Sequence, residues 1–358
     1  MNPRVPRKRS PQQVAWLAAL TAGALFFLSQ ELLLGHPERW QRISPWAGEH
    51  VMSLARDRAV LYAGLQGGGL MVREDGEWSL LAEVIPHGFS PVDLALAPGE
   101  GLLAATTGGL YRSLDGGREW DAVVTGAHLL QVSVGADGHG IAAGPGGVFR
   151  SVDGGRDWEE LSRNGLPAGA DPYRVLRLDS GGYLLGTVGG AGVYHRAPDG
   201  NRWRPEGEGL HRGVRVFSLL VMPDGALLAG TDRGAYRREP AGGEWSVVGR
   251  YWQTFRVLDL ALDRARGRLW AASDDGLWIA PLTPEEPLPE QWSPSEAGDP
   301  LLASAAWVDA TAEPVMATAG AVYEWSPDKG RRPSMVAGSL LIAFGSWLIL
   351  RAAFRRRR

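Results

Sequence analysis

The chain has 358 residues, with 37 basic and 40 acidic side chains, 49 glycines, 15 tryptophans and no cysteine. Without cysteine there is no disulfide framework, no thiolate chemistry and no cysteine-based zinc site. A glycine- and turn-rich composition over this length favours an all-β body with a sizeable core.

In chain order, residues 1–13 form a basic tail with Arg4, Arg7, Lys8 and Arg9, and 14–34 is an apolar stretch whose one charge is Glu31. That length suits a transmembrane helix, a signal anchor; Ala22-Gly23-Ala24 leaves a cleavable signal peptide as the alternative. A second uncharged apolar stretch covers 334–350, and the basic tail 351–358 follows it. Basic clusters outside both stretches predict both termini in the cytoplasm of a bacterial inner membrane, with the body 35–328 on the extracytoplasmic side. Setting aside the four basic residues at the start, the five at the end and Glu31 leaves 28 basic and 39 acidic residues, a net −11 for residues 35–333. Such a balance argues against nucleic acid as a partner. The expected partners are the membrane, through two spans, and another membrane or envelope protein.

Within the body, Ser113-Leu114-Asp115-Gly116-Gly117-Arg118-Glu119-Trp120 returns as Ser151-Val152-Asp153-Gly154-Gly155-Arg156-Asp157-Trp158. The serine and aspartate can accept backbone N–H groups of a tight turn, and the glycine pair supplies positive φ, so the octad reads as a hairpin. Its structural residues are Ser113, Asp115, Gly116, Gly117 and Trp120, and Ser151, Asp153, Gly154, Gly155 and Trp158. Weaker copies surround them, and the tryptophans 40, 78, 120, 158, 203, 245 and 292 recur every 38 to 47 residues. Between tryptophans the same phrase of short apolar segments repeats, for example Leu102-Leu103-Ala104-Ala105 and then Gly109-Leu110-Tyr111. Four short strands every forty residues or so read as propeller blades. The last blade, from Pro300 to Pro327, lacks a tryptophan strand, and Trp40 lacks a blade before it. The prediction is an all-β, seven-bladed propeller of four-stranded blades, closed by an N-terminal outer strand and flanked by one transmembrane helix at each end.

The octad and the blade phrase resemble the Asp-box, or BNR, repeat family over residues 38 to 327, and within it the Ycf48-like photosystem II assembly and stability factors. The resemblance implies a compact propeller acting in membrane-protein assembly on the lumenal or periplasmic side. It covers the repeat type and not one activity, because a single fold hosts many functions.

The box phase aligns a second repeat. Tyr173-Arg174-Val175-Leu176, Val214-Arg215-Val216-Phe217 and Phe255-Arg256-Val257-Leu258 set arginines 41 residues apart. His50 and His128 hold the matching places in earlier blades. Three residues further on stand Ser53, Asp93, Gln131, Arg177, Ser218, Asp259 and Ser304. Loops leading into these strands carry His87, Phe89, His211, Arg212 and Trp252. The expected site is a basic, aromatic-rich channel mouth of Arg174, Arg215, Arg256, Arg177, His50, His128 and Trp252, fitted to an acidic segment or a C-terminus. Polar inner-strand residues that only join neighbouring blades are the competing reading. The histidines lie in separate blades without ligand spacing, so no metal and no cofactor is expected.

An arginine triad also holds the substrate carboxylate in sialidases, which makes a glycoside hydrolase the alternative, with a glycan-binding module as a third reading. The Arg-Ile-Pro run of sialidases is absent, since Arg42-Ile43-Ser44-Pro45 departs from it, and Asp93 with Asp259 is the one carboxylate pair in phase. With no catalytic residue assignable, the expectation is a protein-interaction or assembly scaffold, not an enzyme.

Overall fold

The computed structural model describes residues 39–45, 50–57, 59–81, 89–99, 101–249, 255–274, 276–282, 293–294, 303–307, 315–318 and 321–326. Every regular element among them is a strand, and the strands form seven four-stranded antiparallel sheets. Six are blades of four consecutive strands. Blade one contains Val51–Asp57, Val60–Leu65, Leu70–Glu74 and Glu77–Leu81; blade two contains Pro91–Ala97, Gly101–Thr106, Gly109–Ser113 and Asp121–Thr125. Blade three runs Gln131–Val134, Gly140–Gly144, Gly147–Ser151 and Glu159–Glu160; blade four runs Pro172–Arg177, Tyr183–Thr187, Val193–Arg196 and Arg204–Pro205. Blade five has Val216–Val221, Leu227–Thr231, Gly234–Arg238 and Ser246–Val247; blade six has Val257–Asp263, Arg268–Ser273, Gly276–Pro281 and Ser293–Pro294. The remaining sheet is a composite: Ala303–Trp307, Val315–Thr318 and Ala321–Ser326 come from the C-terminal side, and Arg39–Arg42 adds the outer strand. The first strand of each sheet touches the first strands of its two neighbours, and Ala303–Trp307 returns to Val51–Asp57.

The second strand of each blade explains the apolar runs in the sequence. It is covered on both sides, so adjacent residues face different neighbours. Leu102 joins Leu70, Leu94 and Tyr111 in the cluster between blades one and two, whereas Leu103 joins Leu129 and Val132 between blades two and three. Small Ala104 and Ala105, both fully buried, let neighbouring blades approach.

Both Asp boxes form as hairpin clasps. The Ser113 hydroxyl accepts the Gly117 N–H at 2.8 Å and donates to Asp115 Oδ1 at 2.8 Å; the same carboxylate oxygen accepts the N–H groups of Arg118 and Glu119. The second box repeats this with Ser151, Gly155, Asp153, Arg156 and Asp157. The Glu119 N–H first, then the Ser113 hydroxyl and Arg118 N–H, hold the Asp115 carboxyl below the usual range; for Asp153 the Ser151 hydroxyl leads. Each box also docks on the preceding blade. A Cβ on Gly117, whose φ is 92°, would meet Leu70 Cδ2 at 2.9 Å, and one on Gly155 would meet Leu103 Cδ1 at 2.8 Å. Ser151→Ala strands the buried Gly155 N–H, so it is expected to lower the unfolding free energy by about 1–2 kcal/mol. Urea denaturation reads this, and a loss below a few tenths would show the clasp to be redundant.

The predicted architecture needs correction. Six blades are continuous in sequence, and the remaining sheet is completed by Arg39–Arg42 from the N-terminal side. No transmembrane helix flanks them among the described residues, where no helix is long and apolar enough to cross a membrane. Glycine and turns interrupt every described apolar run well short of the twenty residues that a span requires. The stretches 14–34 and 334–350 and the two basic tails lie outside the described residues.

Candidate functional site

Each inner strand is the edge of its sheet, so its channel-side backbone groups lack a ladder partner. A register shift near the start of most inner strands turns one polar side chain towards this edge. Pairing skips Met52, Val92, Tyr173, Phe217 and Leu258, and the residue after each bulge is Ser53, Asp93, Arg174, Ser218 or Asp259. Gln131, opposite Ala143, takes the same place in blade three.

These side chains tie each inner strand to the next. Ser53 Oγ donates to the Pro91 carbonyl at 2.7 Å, and Asp93 Oδ2 accepts the Val132 N–H at 2.9 Å. The Gln131 amide bonds both the N–H and the carbonyl of Val175. Arg174 Nε donates to the Phe217 carbonyl at 3.0 Å, and Ser218 Oγ accepts the Leu260 N–H while donating to Asp259. The result is a relay of edge-satisfying side chains around a cavity of about 730 Å³.

Arg174 reaches beyond its neighbour. Its guanidinium lies 4.0 Å from Asp93, two blades away, and 5.8 Å from the Tyr173 ring. Burial weakens its charged form, but the carboxylates of Asp259 and Asp93 outweigh this and hold its pKa above the usual value. Burial pushes the Asp93 carboxyl up to about 6; Arg174 and the Val132 N–H oppose the shift, and Asp259 adds to it. Both Asp93 oxygens are occupied by backbone donors, Oδ1 by Leu94 and Oδ2 by Val132.

The structure does not bring the predicted arginine triad together. Pro172 pairs with Thr187 as Val216 pairs with Thr231 and Val257 with Ser273. Arg174 therefore stands at the phase of Ser218 and Asp259, inside the channel. The counterpart of Arg215 and Arg256 is Asp171, whose carbonyl accepts the Val188 N–H as theirs accept those of Asp232 and Asp274. Asp171 and Arg215 lie 44 residues apart, so the 41-residue spacing misaligned blade four by three positions. Arg215 and Arg256 are exposed at the rim. Asp232 accepts the Arg215 N–H at 3.0 Å, and Asp274 accepts both the backbone N–H and Nε of Arg256.

The other candidates scatter. Arg177 is near the opposite end of its strand, in a 2.7 Å ion pair with Asp137. His50 and His128 are exposed, and their carbonyls accept the N–H groups of Gln66 and Gly146. Phe89 packs on Tyr111 in the blade-one to blade-two cluster. Trp252 and His87 lie outside the described residues, and Ser304 has no described side chain. Blade five instead gathers exposed Arg212, Arg215 and Arg233 on two loops tied by the Arg215–Asp232 backbone bonds. Arg233 was missed because it follows the second strand, outside the aligned inner-strand phrase.

No protein-family model matches this chain, and no curated protein sequence matches it. Solved structures do resemble it. YCF48 bound to D1 peptide is 17% identical with a TM-score of 0.65, over 81% of this chain and 97% of that one. YCF48 from Cyanidioschyzon merolae is 13% identical with a TM-score of 0.64, over 81% and 99%. An ancestral GH74 enzyme is 18% identical with a TM-score of 0.62, and the match covers 79% of this chain but 46% of that one. At these identities the likeness is one of fold: the chain is a β-propeller similar to YCF48 and to other propellers built from such repeats.

Proposed function

We propose that this protein is a polypeptide-binding scaffold that holds an acidic segment or chain terminus of another protein at the blade-five rim. The observation that carries the reading is the group Arg212, Arg215 and Arg233. All three are exposed, and none forms a side-chain ion pair among the described residues. They stand in a region, residues 35–333, whose net charge is −11, so they supply a local positive field that a carboxylate would seek. The YCF48 structure with D1 peptide supports the idea that a propeller of this kind can present a peptide site. The double substitution Arg215→Glu and Arg233→Glu is expected to cut recovery of crosslinked partners about tenfold or more without changing the melting curve. Unchanged recovery would remove the rim from the interface.

The second reading is a glycoside hydrolase, favoured by Asp93 and Asp259 in one cavity with the Asp93 carboxyl raised to about 6. Against it, Asp93 spends both oxygens on backbone N–H groups, and Asp259 Oδ1 accepts from Leu260 and Ser218. Turnover of an aryl glycoside by the full chain, lost in Asp259→Asn, would establish the enzyme reading and displace the scaffold.

A further inference from the structure

Propellers protect their outer edges, because an unpaired strand is a template for another chain. In this protein the protection is uneven. The fourth strands of blades three to six are two residues long, and those of blades four and six end in Pro205 and Pro294. The fourth strand of blade two is longer, but a register shift interrupts its pairing. Blade one differs. Glu77–Leu81 pairs residue for residue with Leu70–Glu74, with no bulge and no proline.

Two features say what this edge fits. Leu80 is 61% exposed, more than any other large apolar strand residue whose side chain is described. At the start of the strand, the turn Glu74-Asp75-Gly76-Glu77 sets three exposed carboxylates side by side, and none of them forms an ion pair among the described residues. The nearby Arg73 gives Nη1 to Glu324 and Nε to the Gly76 carbonyl, and forms an ion pair with none of the three. The net negative charge of the body disfavours a second copy here, because like charges would meet.

We propose that the outer edge of blade one docks an extended segment of a partner polypeptide, added antiparallel as a fifth strand. The segment is apolar at alternate positions, packing on Leu80, and basic at its C-terminal end, facing Glu74, Asp75 and Glu77. This edge is separate from the arginine rim of blade five and does not depend on it.

The test uses the full chain and two synthetic peptides, acetyl-Val-Thr-Val-Thr-Val-Lys-Lys-amide and its counterpart ending in two glutamates. The lysine peptide is expected to bind about tenfold tighter or more, and to slow hydrogen exchange in Glu77–Leu81. Leu80→Glu, on an exposed side chain, should weaken it by a similar factor with an unchanged melting curve. Glu74→Lys with Glu77→Lys should invert the preference between the peptides. Equal binding of both peptides, protection confined to the blade-five rim, or indifference to both sets of substitutions would overturn the proposal. So would a concentration-dependent dimer lost in Leu80→Glu, which would assign the edge to self-pairing.

Discussion

Glu324→Ala is expected to destabilise the protein by about 2–4 kcal/mol, in the range for breaking a largely buried ion pair. Glu324 belongs to the strand Ala321–Ser326 of the composite sheet. Its carboxylate meets Arg56 Nη2 at 2.7 Å and Arg73 Nη1 at 3.4 Å, both on blade one. Arg56 is only 7% exposed, so its charge depends on this partner more than a surface arginine would. The pair also joins residues 268 apart in sequence, across the junction where the two ends of the propeller meet. Beside it, the Ile43 N–H donates to the Val322 carbonyl, Ser44 Oγ accepts the Val322 N–H, and Trp78 Nε1 donates to the Ile43 carbonyl. Glu324→Gln keeps an acceptor near Arg56 and should lose less than the alanine variant. Urea unfolding of the three proteins decides the matter: a loss under about half a kcal/mol for Glu324→Ala would show that the apolar contacts of Val315, Val322 and Leu61 close the ring by themselves.

The second large effect is a stability that rises as neutral solution is acidified. The Asp93 carboxyl has a folded pKa raised to about 6 by burial. Between the ordinary carboxylate range and that value the folded state binds more protons than the unfolded chain, so stability falls as pH rises through this window. Acidifying from pH 7 to 5 is expected to add about 1 kcal/mol, a little under the full linkage value, because a quarter of the side chain still faces the channel. Below about pH 4 the trend reverses. Asp115, Asp153, Asp224 and Glu239 have carboxyls held below their usual values, and their contribution is lost as pH falls through those folded values. Asp93→Asn should flatten the profile between pH 5 and 7 and leave the acid limb in place. A profile flat in that interval for the native chain would mean that channel water solvates Asp93 as well as bulk water does.

The residues differ in how far they could be read without coordinates. The Asp boxes were legible in full, because a clasp such as Ser151–Asp153–Gly155 is closed within eight residues by side chains with one local use. The blade phrase was legible for the same reason: a strand covered on both sides runs apolar, as Leu102-Leu103-Ala104-Ala105 does. The candidate site was not. Arg174, Arg215 and Arg256 share a spacing, but the three extra residues between the blade-four and blade-five equivalents move Arg174 from the rim into the channel. Spacing alone carries no information on where such residues are absorbed, and one shift of register changes which side chain turns inward.

Charge was misjudged in a related way. Counted along the chain, Arg256 appears as a free cation, yet the Asp274 carboxylate accepts both its backbone N–H and its Nε. The histidines at 50 and 128 have the right phase but remain at the exposed rim.

The sequence by itself determined the unit: a four-stranded antiparallel blade, its turn chemistry, and the need for Trp40 to find a sheet at the far end of the chain. These depend on contacts within about ten residues or on a repeat visible by eye. Only the tertiary structure decided the inner relay, the Arg174–Asp93 pairing across two blades, the Glu324 latch and the open acidic edge of blade one. The relay, the Arg174–Asp93 pairing and the latch join residues about forty to more than two hundred apart, and they exist only once the sheets stand side by side and their register is settled.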